Sequence, residues 1–115
     1  MSKILVVGAC GQIGIELVIE LRKLYGVKNV IASDIKDECP ESIDDGLYFQ
    51  LDVMNHNELE TIITNNDFEQ IYLLAAMLSA TAENKPLFAW ELNMQGLFNV
   101  LELAKNNKIK KVFWP

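Results

Sequence analysis

The sequence predicts a doubly wound α/β domain built on a parallel sheet, and three observations predict it. Short apolar runs alternate with helical periodicities along the whole chain. The first run, Lys3–Val7, is continuously apolar after its lysine, as in strands covered on both faces, where a half-exposed strand would alternate. Three glycines, Gly8, Gly11 and Gly14, punctuate the junction between that run and the first helical pattern. Right-handed crossovers then give the strand order 3-2-1-4-5, with the first and fourth strands side by side at the point where the order reverses.

The elements follow in sequence. The helix over about Gln12–Tyr25 repeats apolar residues at Ile13, Leu17, Leu21 and Leu24, and Gly26 is placed to stop it. Asn29–Ser33 is a second strand ending at Asp34. The polar, turn-rich stretch Lys36–Gly46 reads as a surface loop, and Tyr48–Leu51 as a third strand ending at Asp52. Asn55 and Glu58 form a capping pair for a second helix carrying Leu59, Ile62 and Ile63. Gln70–Ala75 is a fourth strand and Lys111–Trp114 a fifth. Between them a long helix starts near Pro86, a favourable first-turn residue, and runs to Asn106. Its apolar residues fall in two stripes: Leu87, Trp90, Met94, Leu97, Leu101 and Ala104 on one face, Ala89, Val100 and Leu103 on another. A helix packed only against its own sheet needs one stripe, so the outer face is expected to be covered as well.

Composition narrows the function classes. The 115 residues are 50% hydrophobic with a net charge of −6, and their Lys and Arg are scattered. One domain over residues 1–115 is expected, with no basic stripe for nucleic acid. No apolar run approaches the roughly 18 residues that span a bilayer. Met1-Ser2-Lys3 leads directly into the first strand, so no signal or transit peptide is expected. Cys10 and Cys39 form neither a metal-ligand pattern nor a disulfide framework, and the expected setting is a reducing cytoplasm. His56 reads as a surface residue.

The chemistry concentrates at Gly8-Ala9-Cys10-Gly11-Gln12-Ile13-Gly14. Glycines at this spacing, between a strand and a helix, cradle the pyrophosphate of a dinucleotide in a Rossmann-type sheet. Gly8 permits the tight turn, Gly11 lets backbone approach the phosphates, and Gly14 lets the helix pack close to the strand. Asp34, twenty residues past Gly14, is placed to accept hydrogen bonds from the adenosine ribose and to repel an added phosphate. NAD is therefore expected over NADP. Asp52-Val53 is either an ordinary strand terminus or an adenine contact. Ala75-Ala76 is small enough for close cofactor approach and equally suited to packing against a helix. Asn93, in a helix interior, implies a partner for its amide, either the cofactor or a water.

Together with Asp52-Val53, Leu74-Ala75-Ala76 and Asn93-Met94-Gln95-Gly96-Leu97-Phe98-Asn99-Val100-Leu101-Glu102, these residues resemble the extended short-chain dehydrogenase/reductases, the group of UDP-galactose epimerase. Ala75–Glu83 and Lys111–Pro115 are similar more narrowly to the epimerase-like L-threonine dehydrogenases. The resemblance implies oxidation of L-threonine to 2-amino-3-oxobutanoate with NAD. It assigns Gly8, Gly11, Gln12, Ile13 and Gly14 to the pyrophosphate, Asp34 to the ribose and Asp52 and Val53 to the adenine. Leu74, Ala75 and Ala76 would line the central cofactor path with Asn93 beneath it, and Ser79 would face the substrate. The helix 86–106 would form a homodimer. The family's Tyr-x-x-x-Lys pair is absent: no Lys stands four residues after Tyr25, Tyr48 or Tyr72. This implies a sheet truncated after its fifth strand, an N-terminal part of a longer enzyme with no catalytic residue of its own. Nucleotide-sugar epimerases or dehydratases, and a non-catalytic dinucleotide-binding module, are the alternatives.

Overall fold

The computed structural model describes residues 3–74, 86–106 and 109–114, without the side chains of residues 86, 88–90, 92 and 93. Its five strands are β1 (Lys3–Val7), β2 (Val30–Asp34), β3 (Tyr48–Gln50), β4 (Phe68–Leu73) and β5 (Lys111–Phe113). They pair in parallel in the order β3-β2-β1-β4-β5. The helices are α1 (Gln12–Tyr25), α2 (His56–Asn65) and α3 (Pro86–Asn106). The expected order is therefore observed, and the strand bounds move by at most two residues. β4 starts at Phe68, ahead of the expected Gln70, because Phe68 is itself in the core and pairs with Lys3.

Two apolar layers enclose the sheet. One joins Leu5, Val7, Ile31, Ile71 and Leu73 to Leu59 and Ile63 of α2 and Leu97, Val100 and Leu103 of α3. The other joins Ile4, Val6, Val30 and Ala32 to Val18 and Leu21 of α1 and to Ile43. Adjacent strand residues point to opposite faces, which is why Ile4–Val7 are all buried. The cap on α2 is as expected: the Asn55 side chain accepts from Glu58 N. Gly26 ends α1 with φ 97° and donates its N–H to the Arg22 carbonyl.

Both apolar stripes need correction. α1 buries Gly14, Val18, Leu21 and Arg22, while Ile13 and Leu24 are 73% and 76% exposed. Gly14 sets this rotation. Its missing side chain is what allows the helix to lie against the β1 turn, and residues four, seven and eight positions on share its side. In α3, Leu97, Val100, Leu103 and Ala104 come from both expected stripes yet form one buried face. Leu87, Phe98 and Leu101 point outward. A spacing of four residues turns about 40° past a full turn, which carries Leu101 off the face that holds Leu97.

The β2–β3 connection is not a simple surface loop. It contains a one-turn 3-10 helix at Glu41–Ile43, with Ile43 fully buried. The buried Arg22 guanidinium donates to the carbonyls of Val30, Ile43 and Leu47 and to the Asp45 carboxylate. Gly46 gives it room, since a Cβ there would lie 2.6 Å from Arg22 Nη2. Replacing Arg22 by Met removes these donors and leaves buried carbonyls unpaired. The expected loss is about 3 kcal/mol of folding free energy, measured as a lowered urea midpoint without a changed slope.

Candidate functional site

The carboxyl ends of β1, β2 and β4 converge on one rim, and the glycine turn rises from its centre. Gly8 leaves β1 with φ 93°, a conformation that side chains disfavour. The amides of Gly8 and Ala9 both donate to the Ser33 carbonyl, each at 2.9 Å. The buried Ser33 hydroxyl in turn donates to the Val6 carbonyl at 2.8 Å. β1, the turn and the end of β2 are thus tied together. On the other side, Leu74 N donates to the Val7 carbonyl at 2.8 Å, bringing the end of β4 to the same turn.

The N-terminus of α1 faces outward from this turn. Gly11 is its cap residue, with no side-chain cap bond, and no acid stands in the first turn. The helix therefore presents first-turn N–H groups and a partial positive charge with no acidic side chain in its own first turn. A Cβ on Gly11 would meet nothing within 4 Å, whereas one on Gly14 would lie 2.4 Å from the Gly8 carbonyl oxygen and 2.8 Å from Ala9 Cα. The two glycines differ in what they permit: Gly11 leaves open space above the turn, and Gly14 allows contact between helix and turn. That open space beside unpaired helix amides fits a diphosphate.

Asp34 lies against the same turn. Its Oδ2 accepts from Cys10 N at 3.0 Å and its Oδ1 from Lys36 N at 3.3 Å. Beside it an open cleft of about 490 Å³ is lined by residues that include Cys10, Lys36, Cys39 and Pro40. Burial pushes the Cys10 and Cys39 thiols above their ordinary pKa, and both cysteines are free.

The remaining expected site residues divide. Asp52 shapes the turn into α2, with its Oδ1 accepting from Met54 N at 3.0 Å and its carbonyl accepting from Asn55 N. Val53 is braced by α3, because Asn99 Nδ2 donates to its carbonyl at 3.1 Å and Gly96 lets its side chain close in. Ala75, Ala76 and Ser79 lie outside the described residues, as does the Asn93 side chain. Arg22 and Tyr48 hold structure together here without belonging to any motif of the sequence, and Asn99 is part of the helix motif without a role of its own there. The one signal that Arg22 offers is a long polar residue among the buried positions of an amphipathic helix. Among the described residues no group of His, Cys, Asp and Glu could hold a metal, and no helix is long and apolar enough to cross a membrane. His56 is partly exposed, with Nδ1 3.8 Å from Glu60 Oε2.

A parallel doubly wound sheet with a glycine turn and a strand-end acid at its switch point defines the Rossmann-type dinucleotide-binding class of domain. Comparison with known proteins narrows this. The sequence model of the NAD dependent epimerase/dehydratase family matches residues 4–114, and the chain belongs to that family. It is similar to an uncharacterized epimerase/dehydratase of Staphylococcus epidermidis, 47% identical over 96% of this chain and 35% of that protein. Among solved structures, it is similar to a GalE-like L-threonine dehydrogenase from Cupriavidus necator in its holo form. That match has a TM-score of 0.90 and 46% identity over 98% of this chain and 36% of the other. An L-threonine dehydrogenase from Clostridium difficile matches with a TM-score of 0.86 and 47% identity over 96% of this chain and 35% of the other. A UDP-glucose 4-epimerase from Thermotoga maritima matches at 0.79 and 26%, over 96% and 36%. The chain thus spans about a third of the length of these relatives.

The two glycines make opposite predictions. Gly14→Ala should displace α1 from the turn and cost about 1–3 kcal/mol of stability, as overpacking does, seen in urea unfolding. Gly11→Ala should unfold at the wild-type urea midpoint.

Proposed function

We propose that this chain is the NAD-binding part of an L-threonine 3-dehydrogenase that oxidises L-threonine to 2-amino-3-oxobutanoate. The observation that carries the cofactor reading is the open space over Gly11 beside the uncapped amides of α1. In this reading, Gly8, Gly11 and the first turn Gln12-Ile13-Gly14 hold the diphosphate. Ile13 contributes its backbone, since its side chain is exposed. Asp34 accepts from the adenosine ribose hydroxyls, its oxygens keeping lone pairs beyond the two amides already bound. Its charge, with no Arg beside it, opposes a ribose phosphate and selects NAD over NADP. NAD, when bound, supplies the hydride acceptor.

Asp52 and Val53 flank the adenine in this proposal, through a segment that Asn99 and the Asp52 turn hold in place. Leu74, Ala75 and Ala76 line the cofactor path, Asn93 lies beneath it, and Ser79 faces the substrate. No tyrosine of the chain carries the Lys needed to lower its pKa, so the proton acceptor and substrate-binding domain are proposed to lie in residues outside this chain. Threonine is preferred over a nucleotide sugar because the threonine dehydrogenases are 46% and 47% identical to the chain, against 26% for the UDP-glucose epimerase. A reducing cytoplasmic setting is part of this proposal, since two cysteines make no disulfide framework.

The test uses the intact gene product. Threonine should drive reduction of NAD with little reduction of NADP, and calorimetry should show heat of association with NAD. Turnover of UDP-sugars without turnover of threonine would move the assignment to the epimerase branch.

The outward residues Leu87, Phe98 and Leu101 of α3 are 70%, 55% and 44% exposed, apolar area suited to a matching helix of a second copy. Sedimentation of the intact protein should therefore give a dimer, and Phe98→Glu should shift it toward monomer.

A further inference from the structure

Around Asp34 the hydrogen bonds close into a ring of four residues. Cys10 and Lys36 each donate a backbone amide to one oxygen of the carboxylate. On the far side, the Tyr48 hydroxyl donates to the Lys36 carbonyl and lies 3.4 Å from Cys10 Sγ. A phenol has one proton, and here it goes to Lys36, so the Cys10 thiol is the donor in the second contact. Tyr48 thus touches both residues whose amides hold the carboxylate and reaches the carboxylate through them.

The ring joins four places in the fold: the glycine turn, the end of β2, the start of the β2–β3 connection and β3. Tyr48 is well placed to set their spacing. Its backbone pairs with Ala32 of β2, and its side chain packs against the core on the α1 side. Burial raises the Tyr48 pKa above that of an ordinary phenol, so the hydroxyl keeps the proton it donates.

The geometry points to Tyr48 as a positioning residue for cofactor choice: through Cys10 and Lys36 it aims the Asp34 carboxylate. This rests on the reading of Asp34 as the ribose acceptor. A carboxylate with each oxygen fixed by an amide presents its free lone pairs in set directions, which suits two vicinal hydroxyls. It also cannot rotate away from a phosphate placed on the same ribose. Without the Tyr48 hydroxyl, the Lys36 carbonyl and the Cys10 thiol lose their common partner. The carboxylate can then swing, and its charge no longer stands fixed against an added phosphate.

A neighbouring contact separates this role from simple pinning of the loop. Gln50 Nε2 donates to the Ile35 carbonyl at 3.1 Å, holding the same connection to the same strand from outside the ring. The experiment compares Tyr48→Phe and Gln50→Ala with the unsubstituted intact protein, by calorimetry with NAD and with NADP and by thermal unfolding. Tyr48→Phe should weaken NAD binding about 3- to 10-fold, the scale of one lost hydrogen bond. Its preference for NAD over NADP should fall by a similar factor, with a melting temperature within about 2 °C of the original. Gln50→Ala should keep the preference. An unaltered preference in Tyr48→Phe, or the same loss in Gln50→Ala, would overturn the inference while leaving the NAD assignment intact. Absence of NAD binding by the unsubstituted protein would remove both.

Discussion

Two amides, those of Gly8 and Ala9, converge on the single carbonyl of Ser33, and the organisation of the rim follows from that contact. It turns the chain sharply as β1 ends and fixes the turn to the end of β2, one residue before Asp34. The Ser33 hydroxyl closes the arrangement by donating back to Val6, so the carbonyl and the hydroxyl of a fully buried residue are both used. Buried polar groups persist only when paired, and here the pairing itself brings the glycine turn and the acid together. Parallel pairing of β1 with both β2 and β4 then places the end of β4 on the other flank of the turn.

The sheet is covered unequally. α2 and α3 pack on one face, while α1 and the buried Ile43 cover β1 and β2 on the other. Beyond α1 on that second face, Tyr72 and Phe113 stack with ring centroids 4.4 Å apart and planes 10° apart, each shielding part of its neighbour. Phe113 and Trp114 stay 41% and 49% exposed at this edge. On the α1 face the covered part lies beneath the glycine turn and the end of β2, and on the other face the apolar layer extends to Ile71 and Leu73 of β4.

Much of the fold was legible because its signals are local. Consecutive apolar residues in Ile4–Val7 mark a strand buried on both faces, Asn55 and Glu58 mark a helix start, and Gly26 marks a helix end. The strand order follows from the alternation of strands and helices, since right-handed crossovers leave few topologies. The faces of the helices were less legible. Periodicity alone grouped Ile13 with Leu17 and Leu21, but the contact of Gly14 with the turn rotates α1 and turns Ile13 outward. Leu97 and Leu101 were grouped likewise, and the approach of Gly96 to Val53 and the Asn99 bond to its carbonyl set a rotation of α3 that separates them. The segment Lys36–Gly46 looked like solvent-facing loop because its composition is polar; one buried isoleucine and a buried arginine on another element hold it down.

At the site the same division holds. The strand–turn–helix around Gly8, Gly11 and Gly14, and the acid at the end of the following strand, can be read directly from the order of residues. Those features arise from backbone conformation and neighbouring residues along the chain. Folding in three dimensions was needed to show that Arg22 anchors the β2–β3 connection and that Tyr48 meets Cys10 and Lys36 around Asp34. Distance along the chain accounts for the difference: Tyr48 stands 38 residues from Cys10 and 12 from Lys36. Contacts of that separation are created by strand pairing and leave no periodicity or spacing for a sequence pattern to record.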